Sequence, residues 1–553
     1  MASLNPMQGA LGLRRAAHLL RRTSFFYTRE KVDELAGQTA SEALATLLTP
    51  YPLLVEQPAF AENPTDTPLT WINPPQPPNV PLPTDDEGLL SRYVMAWWVH
   101  EASQDPGAVH KITYFLHQYL AVNADAGDSM EFFDYLSLLR WGSLGNFKTL
   151  VLKMIVDNCM LSYIDNDQNF VNNPNENYAR EFFELHTIGR GAPAGPGDYT
   201  NYTEDDIIEA ARVLTGFNHA QRHQYQDPDT GIPAGKAYPQ SHDFGTKTFS
   251  ARFNGTSITP PSNDEDGMNA ELQALVDMVF AQEETARNFC RRLYHFFITR
   301  KISDEVENDI IGGLAQTLID NNFEILPVLN QLFQSEHFFD QDDSDNADEI
   351  VGALIKSPME LALQTFSYFN ISIPDPVSEN HKHYRTFYNS GVINRMFDWA
   401  GLYLFNPPDV AGYPGYYQVP DFHRQFFNSA TIVARYKVPE MLLTGTHAWG
   451  PSSGMDLGTK FDFPAWLRDT DVVLYPADAY SLVEELTLYL FPETPDTDRI
   501  TYFVEEVFLD TIPANDWTYE WNNFLDTGDD TEVSIPLQRL FNALLYAPEY
   551  QLF

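Results

Sequence analysis

The residues most densely spaced for chemistry lie between Tyr163 and Gly191, in YIDNDQNFVNNPNENYAREFFELHTIGRG. Asp165, Asp167, Asn169, Val171, Asn173 and Glu176 stand at positions 1, 3, 5, 7, 9 and 12 of a stretch between two apolar helical patterns. That is the spacing by which a helix–loop–helix wraps calcium in side-chain oxygens, one backbone carbonyl and a bidentate glutamate. It predicts a calcium site held by Asp165, Asp167, Asn169 and Glu176. Position 6, where the sharp turn calls for glycine, is Phe170, and Pro174 stiffens the second half. The same Asn and Asp side chains also suit Asx-turns and a cap for the following helix.

Beyond Glu176 a helical winding puts Tyr178, Phe182 and Leu185 on an apolar face and Asn177, Glu181 and Glu184 on another. Two carboxylates in a pocket divide into an acid and a base when burial separates their pKa values, and His186 adds a group that titrates near neutrality. Glu176, Arg180 and Glu184 also form an i, i+4, i+8 ladder, the pattern of an ion-paired helix face. In YTEDDIIEAARVLTGF, Thr203 and Asp206 make a capping box, with Glu204 and Asp205 at the positive end of the helix dipole. Arg212, deep in that helix, needs a carboxylate, and Glu181 and Glu184 are the nearest by sequence. In HDFGTKTF, His242, Asp243 and Lys247 are suited to offer an acid–base group and an ammonium to an anionic substrate, or to hold a hydrogen-bonded structural loop.

Other motifs carry less. GPSSG at Gly450 to Gly454 matches G-x-S-x-G without the strand and helix that give the motif its meaning. His219 and His223, four apart, have zinc spacing but no third ligand and loop-like surroundings. PPDVAGYPG sets Tyr413, Tyr416 and Tyr417 beside rigid backbone, which suits stacking on sugar rings or packing on a helix end. The acidic loop at residues 340–349 lacks the glycine and terminal glutamate of a calcium loop and reads as solvated.

The elements that must position these residues are mostly helices, because apolar residues return every three to four positions, as in HKITYFLHQYLAV and FKTLVLKMIVDNCMLSYI. Few segments read as strands. Residues 50–87 include NPPQPPNVPLP, whose prolines neither continue a helix nor join a central strand, and residues 218–261 form a second irregular stretch. With no repeat and no composition shift, residues 1–553 read as one mainly α composite domain carrying long loops. The 553 residues hold 77 Asp+Glu against 34 Lys+Arg, a net charge of −43 that repels nucleic acid and anionic lipid, while 14% aromatic content requires a large core. Cys159 and Cys290 sit in apolar helical patterns and read as buried free thiols, too few for a disulfide framework. No run spans a bilayer, and the basic, amphipathic LGLRRAAHLLRRTSFF lacks the apolar core of a secretory signal, as in a cytoplasmic chain or one already processed.

NENYAREFFELHTIG followed by YTEDDIIEAARVLTGF resembles the signature of the uncharacterised bacterial family known as domain of unknown function 1800. HLLRRTSF, LRWGSLGNF, MLSYIDNDQN, HDFGTKTF, KSPMEL, LFNPPDVAGYPG and LLYAPEYQLF match in the same order, so the resemblance covers essentially the whole chain. It implies a mature extracytoplasmic protein, since members are typically exported, but no established reaction. One departure concerns the F-W-x-N-H-F-like segment of the family: here YFLHQYLAV places Tyr119 at the family histidine, with His117 two residues earlier on another face. Either His117 compensates or any activity is weakened. The functional expectation is an enzyme acting on an extracellular polymer such as carbohydrate, with bound calcium and with Glu181, Glu184, His186 and Arg212 at the site. The competing expectation is a non-catalytic module that docks an envelope partner and whose polar cluster is a buried ion-pair network.

Overall fold

Helix starts in this chain are written by short polar side chains. Thr39, Asp128, Thr203 and Ser357 each close a capping box, and Asp86, Asn146, Asp157 and Asp264 each accept a backbone N–H of the first turn. The computed structural model describes residues 2–51, 59–72, 82–195, 198–220, 225–342, 350–408, 425–445 and 460–553. It is 57% helical, with only short antiparallel strand pairs among the described residues, as the apolar periodicity requires.

The helices that position the site are α1 (Val109–Tyr119), α2 (Ser129–Gly142), α3 (Asn158–Tyr163), α4 (Glu176–Glu181), α5 (Glu204–Val213) and α6 (Glu265–Phe280). The pattern from Phe147 to Ile164, which reads as one long helix, is two. Asp157 interrupts it by capping α3 through Met160 N at 2.9 Å. Residues 218–261, read as irregular, contain two strand pairs: β1 (Phe217–Asn218) with β2 (Lys236–Ala237), and β3 (Lys247–Thr248) with β4 (Ser257–Ile258).

One connected set of buried apolar residues runs from Met7 to Tyr550. The basic N-terminal segment belongs to it as the helix Gly12–Thr23. Arg22 is buried there and donates to the carbonyls of Phe297 (2.8 Å) and Ile298 (2.6 Å), satisfying helix-end acceptors. In the proline-rich stretch the described residues are ordered surface wrap: Phe60 pairs with Leu69, and buried Trp71 donates to Ser129 Oγ at 2.9 Å. Cys159 and Cys290 are free and buried. No helix among the described residues is long and apolar enough to cross a membrane. The GPSSG motif, His223, the PPDVAGYPG tyrosines and most of the acidic loop lie outside the described residues.

Candidate functional site

The predicted carboxylate face breaks up where α4 ends. Residues Phe182–His186 continue the helix in the wider i→i+5 winding, with Thr187 Oγ1 donating to Phe182 O at 2.5 Å. That winding rotates each residue less than an α-helix does, so Glu184 swings away from the face it would share with Asn177 and Glu181. Glu184 is held by Arg190 and accepts from Tyr202 OH at 3.1 Å. Glu181 is partly exposed. His186 is buried with its ring edge-on to Tyr178, and burial, with the charge of Arg292 adding to it, pushes its pKa down to about 3, so it does not titrate near neutrality. Arg180 forks onto Glu204 (2.8 and 2.7 Å) and reaches Glu176 at 3.7 Å, joining α4 to the start of α5.

Arg212 does not meet Glu181 or Glu184. α5 delivers it to the loop that follows β2, where it binds Asp243 Oδ2 at 2.8 Å, Glu209 Oε2 at 2.6 Å and the carbonyl of Thr246 at 3.3 Å. His242 and Lys247 of the same loop turn inward. His242 Nε2 lies 2.8 Å from Glu271 Oε2 and Lys247 Nζ 2.6 Å from Glu271 Oε1, with all three side chains sealed from solvent. His242, Asp243 and Lys247 are thus brought together with Arg212 in an ion-paired network. Glu271 was missed by sequence reasoning, yet it left a signal: it stands in the apolar phase of α6, with Met268, Leu272 and Leu275, where a carboxylate needs a buried cation.

The oxygen-rich bend is also built for its own backbone. Asn169 is buried; its amide donates to Asn166 Oδ1 (3.1 Å) and Ala211 O (3.0 Å) and its oxygen accepts from Asn175 N (3.0 Å). Asn175 caps α4 and donates to Asp165 O at 3.0 Å, holding Asp165 in the left-handed region at φ 56°. Asn169 thus serves the fold of the bend, while Glu176 lies 3.7 Å from Arg180 with its side chain half exposed. Among the described residues no three His, Cys, Asp or Glu side chains are grouped as a metal would need.

Tyr119 and His117 point to different partners among the contacts the structure gives. Tyr119 is buried with its hydroxyl 3.4 Å from Thr187 O and the Arg292 guanidinium 4.5 Å from its ring centre, whereas His117 binds Tyr135 OH at 2.9 Å and is pushed down to about 3 by burial.

Among the described residues, one hollow with polar lining includes His219. A groove of about 260 Å³ is lined by Phe170, Asn218, His219, Tyr238, Gln240 and Ser241. Neither it nor a second hollow of about 330 Å³ beside Arg252 and Arg287 is lined by Glu181, Glu184 or His186. The wall is shaped by Gly216 at φ 78°, where a Cβ would come within 2.9 Å of Tyr238 O. β1 then carries Asn218, whose amide donates to Asp167 O at 2.7 Å, and Tyr238 OH donates to His219 O at 2.6 Å. The His219 ring stands between carboxylates: Nδ1 is 3.6 Å from Glu131 Oε1 and Nε2 is 3.9 Å from Asp167 Oδ2, with Ser162 Oγ 2.9 Å from Nε2. The neighbouring Glu131 carboxylate, with the charges of Asp167 and Asp157, raises the His219 pKa against the opposing effect of burial. Burial raises that of Asp167 and lifts Asp157 to about 8. These residues come from four separate segments, so no linear spacing announces them.

Fold and site define a large helical protein with a groove lined by His219, whose ring two carboxylates flank. The chain belongs to the family described as Protein of unknown function (DUF1800), whose pattern matches residues 18–552. No curated protein and no solved structure matches it.

Proposed function

We propose that this chain is an extracytoplasmic enzyme that hydrolyses an extracellular polymer, with carbohydrate the class the groove suits and His219 the acid–base group. The observation that carries the reading is the His219 ring, part-exposed on the groove and flanked by Glu131 and Asp167. A histidine with its protonation favoured by neighbouring carboxylates, beside a concave surface, is the arrangement general acid–base catalysis uses. The rings of Phe170 and Tyr238 offer apolar faces to a sugar, and Asn218, Gln240 and Ser241 offer donors and acceptors to its hydroxyls. Work outside the cytoplasm rests on the resemblance to exported family members. Glu181, Glu184, His186, Arg212, His242, Asp243 and Lys247 take no part in the reaction on this reading, and calcium is not required.

The second reading, a non-catalytic module docking an envelope partner, is favoured by the ion pairs Arg180–Glu204 and Arg212–Asp243 and by the sealed His242–Glu271–Lys247 set, which hold the fold whether or not the groove reacts. The test is hydrolysis of a panel of plain and acylated polysaccharides, read as release of reducing ends or of free acid, by the wild-type chain and by His219→Gln. Hydrolysis of one of them, lost by roughly 100-fold or more in the variant at unchanged melting temperature, supports the enzyme. No hydrolysis of any polymer supports the module.

A further inference from the structure

We infer that Ser162 is a nucleophile, with His219 its base, and that the bond it attacks is an acyl ester carried by the substrate. This deepens the reading of the His219 groove as an active site and rests on it. Ser162 Oγ and His219 Nε2 are 2.9 Å apart, and the opposite ring nitrogen, Nδ1, faces Glu131 Oε1 at 3.6 Å. A hydroxyl in hydrogen-bond reach of an imidazole whose other nitrogen has a carboxylate beside it is the arrangement from which serine is activated, recognised by geometry rather than by sequence order. Three separate pieces of backbone supply it: the last turn of α3, the residue after β1 and the first turn of α2. Glu131 is fixed from behind, since its Oε2 also accepts from Asp128 N at 3.2 Å in the capping box of α2. Two features set His219 apart from the sealed histidines of this chain, such as His117 and His242. Its side chain keeps 29% of its surface exposed, and it lines the groove where a substrate would lie.

The chemistry follows from these positions. Ser162 Oγ attacks the ester carbonyl carbon while its proton passes to His219 Nε2; the C–O bond to the leaving alcohol then breaks and that alcohol takes the proton. Water adds to the acyl-serine with His219 accepting its proton, the acyl C–O bond to Ser162 breaks, and the proton returns to Ser162, so an ester and water become an alcohol and an acid. Asp167, 3.9 Å from Nε2, favours the imidazolium present between these steps. Joined to the polymer reading above, this makes the substrate an O-acylated polymer, from which the acyl group is removed and the chain left intact.

A fluorophosphonate tests the nucleophile without knowledge of the substrate: Oγ forms a bond to phosphorus, fluoride leaves, and the proton goes to His219. Peptide mapping of the labelled full chain by mass spectrometry is expected to find the adduct on Ser162, with labelling lost in Ser162→Ala and slowed roughly 100-fold or more in His219→Gln. Mapping is done on the wild-type chain, so the result stands even where a variant fails to fold. Glu131 is a positioning residue, and its readout is the pH profile of labelling. His219 is faced by Glu131 from α2, Asp167 from the bend and, farther back, Asp157 from the start of α3; Glu131→Gln is expected to move the half-maximal pH downward. Polysaccharide hydrolysis that needs His219, with no adduct on Ser162, overturns the inference and leaves the groove as the active site. An adduct on Ser162 with release of acid from an acylated polysaccharide supports it, and an adduct with neither chain cleavage nor deacylation supports the nucleophile while overturning the polymer reading.

Discussion

His242 Nε2 and Glu271 Oε2 meet at 2.8 Å with both side chains closed off from solvent. The second oxygen of Glu271 takes the Lys247 ammonium, so one carboxylate compensates two buried groups. Removing it by Glu271→Gln leaves Lys247 buried without its counter-charge, which costs about 3–5 kcal/mol. Denaturant unfolding is expected to show that loss, while the folded fraction keeps its activity. A variant of unchanged stability and lost activity would return the HDFGTKTF loop to the reaction.

Asp157 is buried at the start of α3 with its pKa lifted to about 8 by burial, Asp134 and Glu131 adding to it, from an ordinary 3.8. The folded state therefore holds a proton that the unfolded chain has released between those values. This contribution to stability is whole below pH 3.8 and is lost as pH rises through about 8, at a slope approaching about 1.4 kcal/mol per pH unit. Asp157→Asn keeps the cap and cannot ionise. Melting curves from acid to mildly alkaline pH should fall for the wild type and flatten for the variant; parallel curves would show that Asp157 ionises freely in the fold.

At the bend from Asp165 to Glu176, calcium would compete with Asn175 N for Asn169 Oδ1 and with Arg180 for Glu176. Melting temperatures in millimolar calcium and in chelator are expected to coincide, because an ion that binds the folded state raises stability through linkage. A rise with calcium would show that the bend rearranges into a site.

The helical class was legible because capping boxes and apolar periodicity are local. Thr203 with Asp206 caps α5 as its sequence reads. The pairing of Arg212 was not, since proximity along the chain favours Glu181 and Glu184 whereas the loop bearing Asp243 returns to α5 from 31 residues away. The winding beyond α4 was not legible either: nothing in FFELH announces the wider turn that carries Glu184 to Arg190 and Tyr202. His219 drew notice only through His223, while its partners Glu131, Ser162 and Asp167 are assembled by packing across the ends of α2 and α3 and by the Asn218 amide that ties β1 to the bend.

His219, rather than the Glu184 cluster, is the proposed reacting group, and the initial rates of polysaccharide hydrolysis or deacylation by His219→Gln and Glu184→Gln, measured side by side, separate the two. His219→Gln is expected to lose roughly 100-fold or more and Glu184→Gln to stay close to wild type. A His219→Gln rate equal to wild type, with the loss falling on Glu184→Gln, would contradict that assignment.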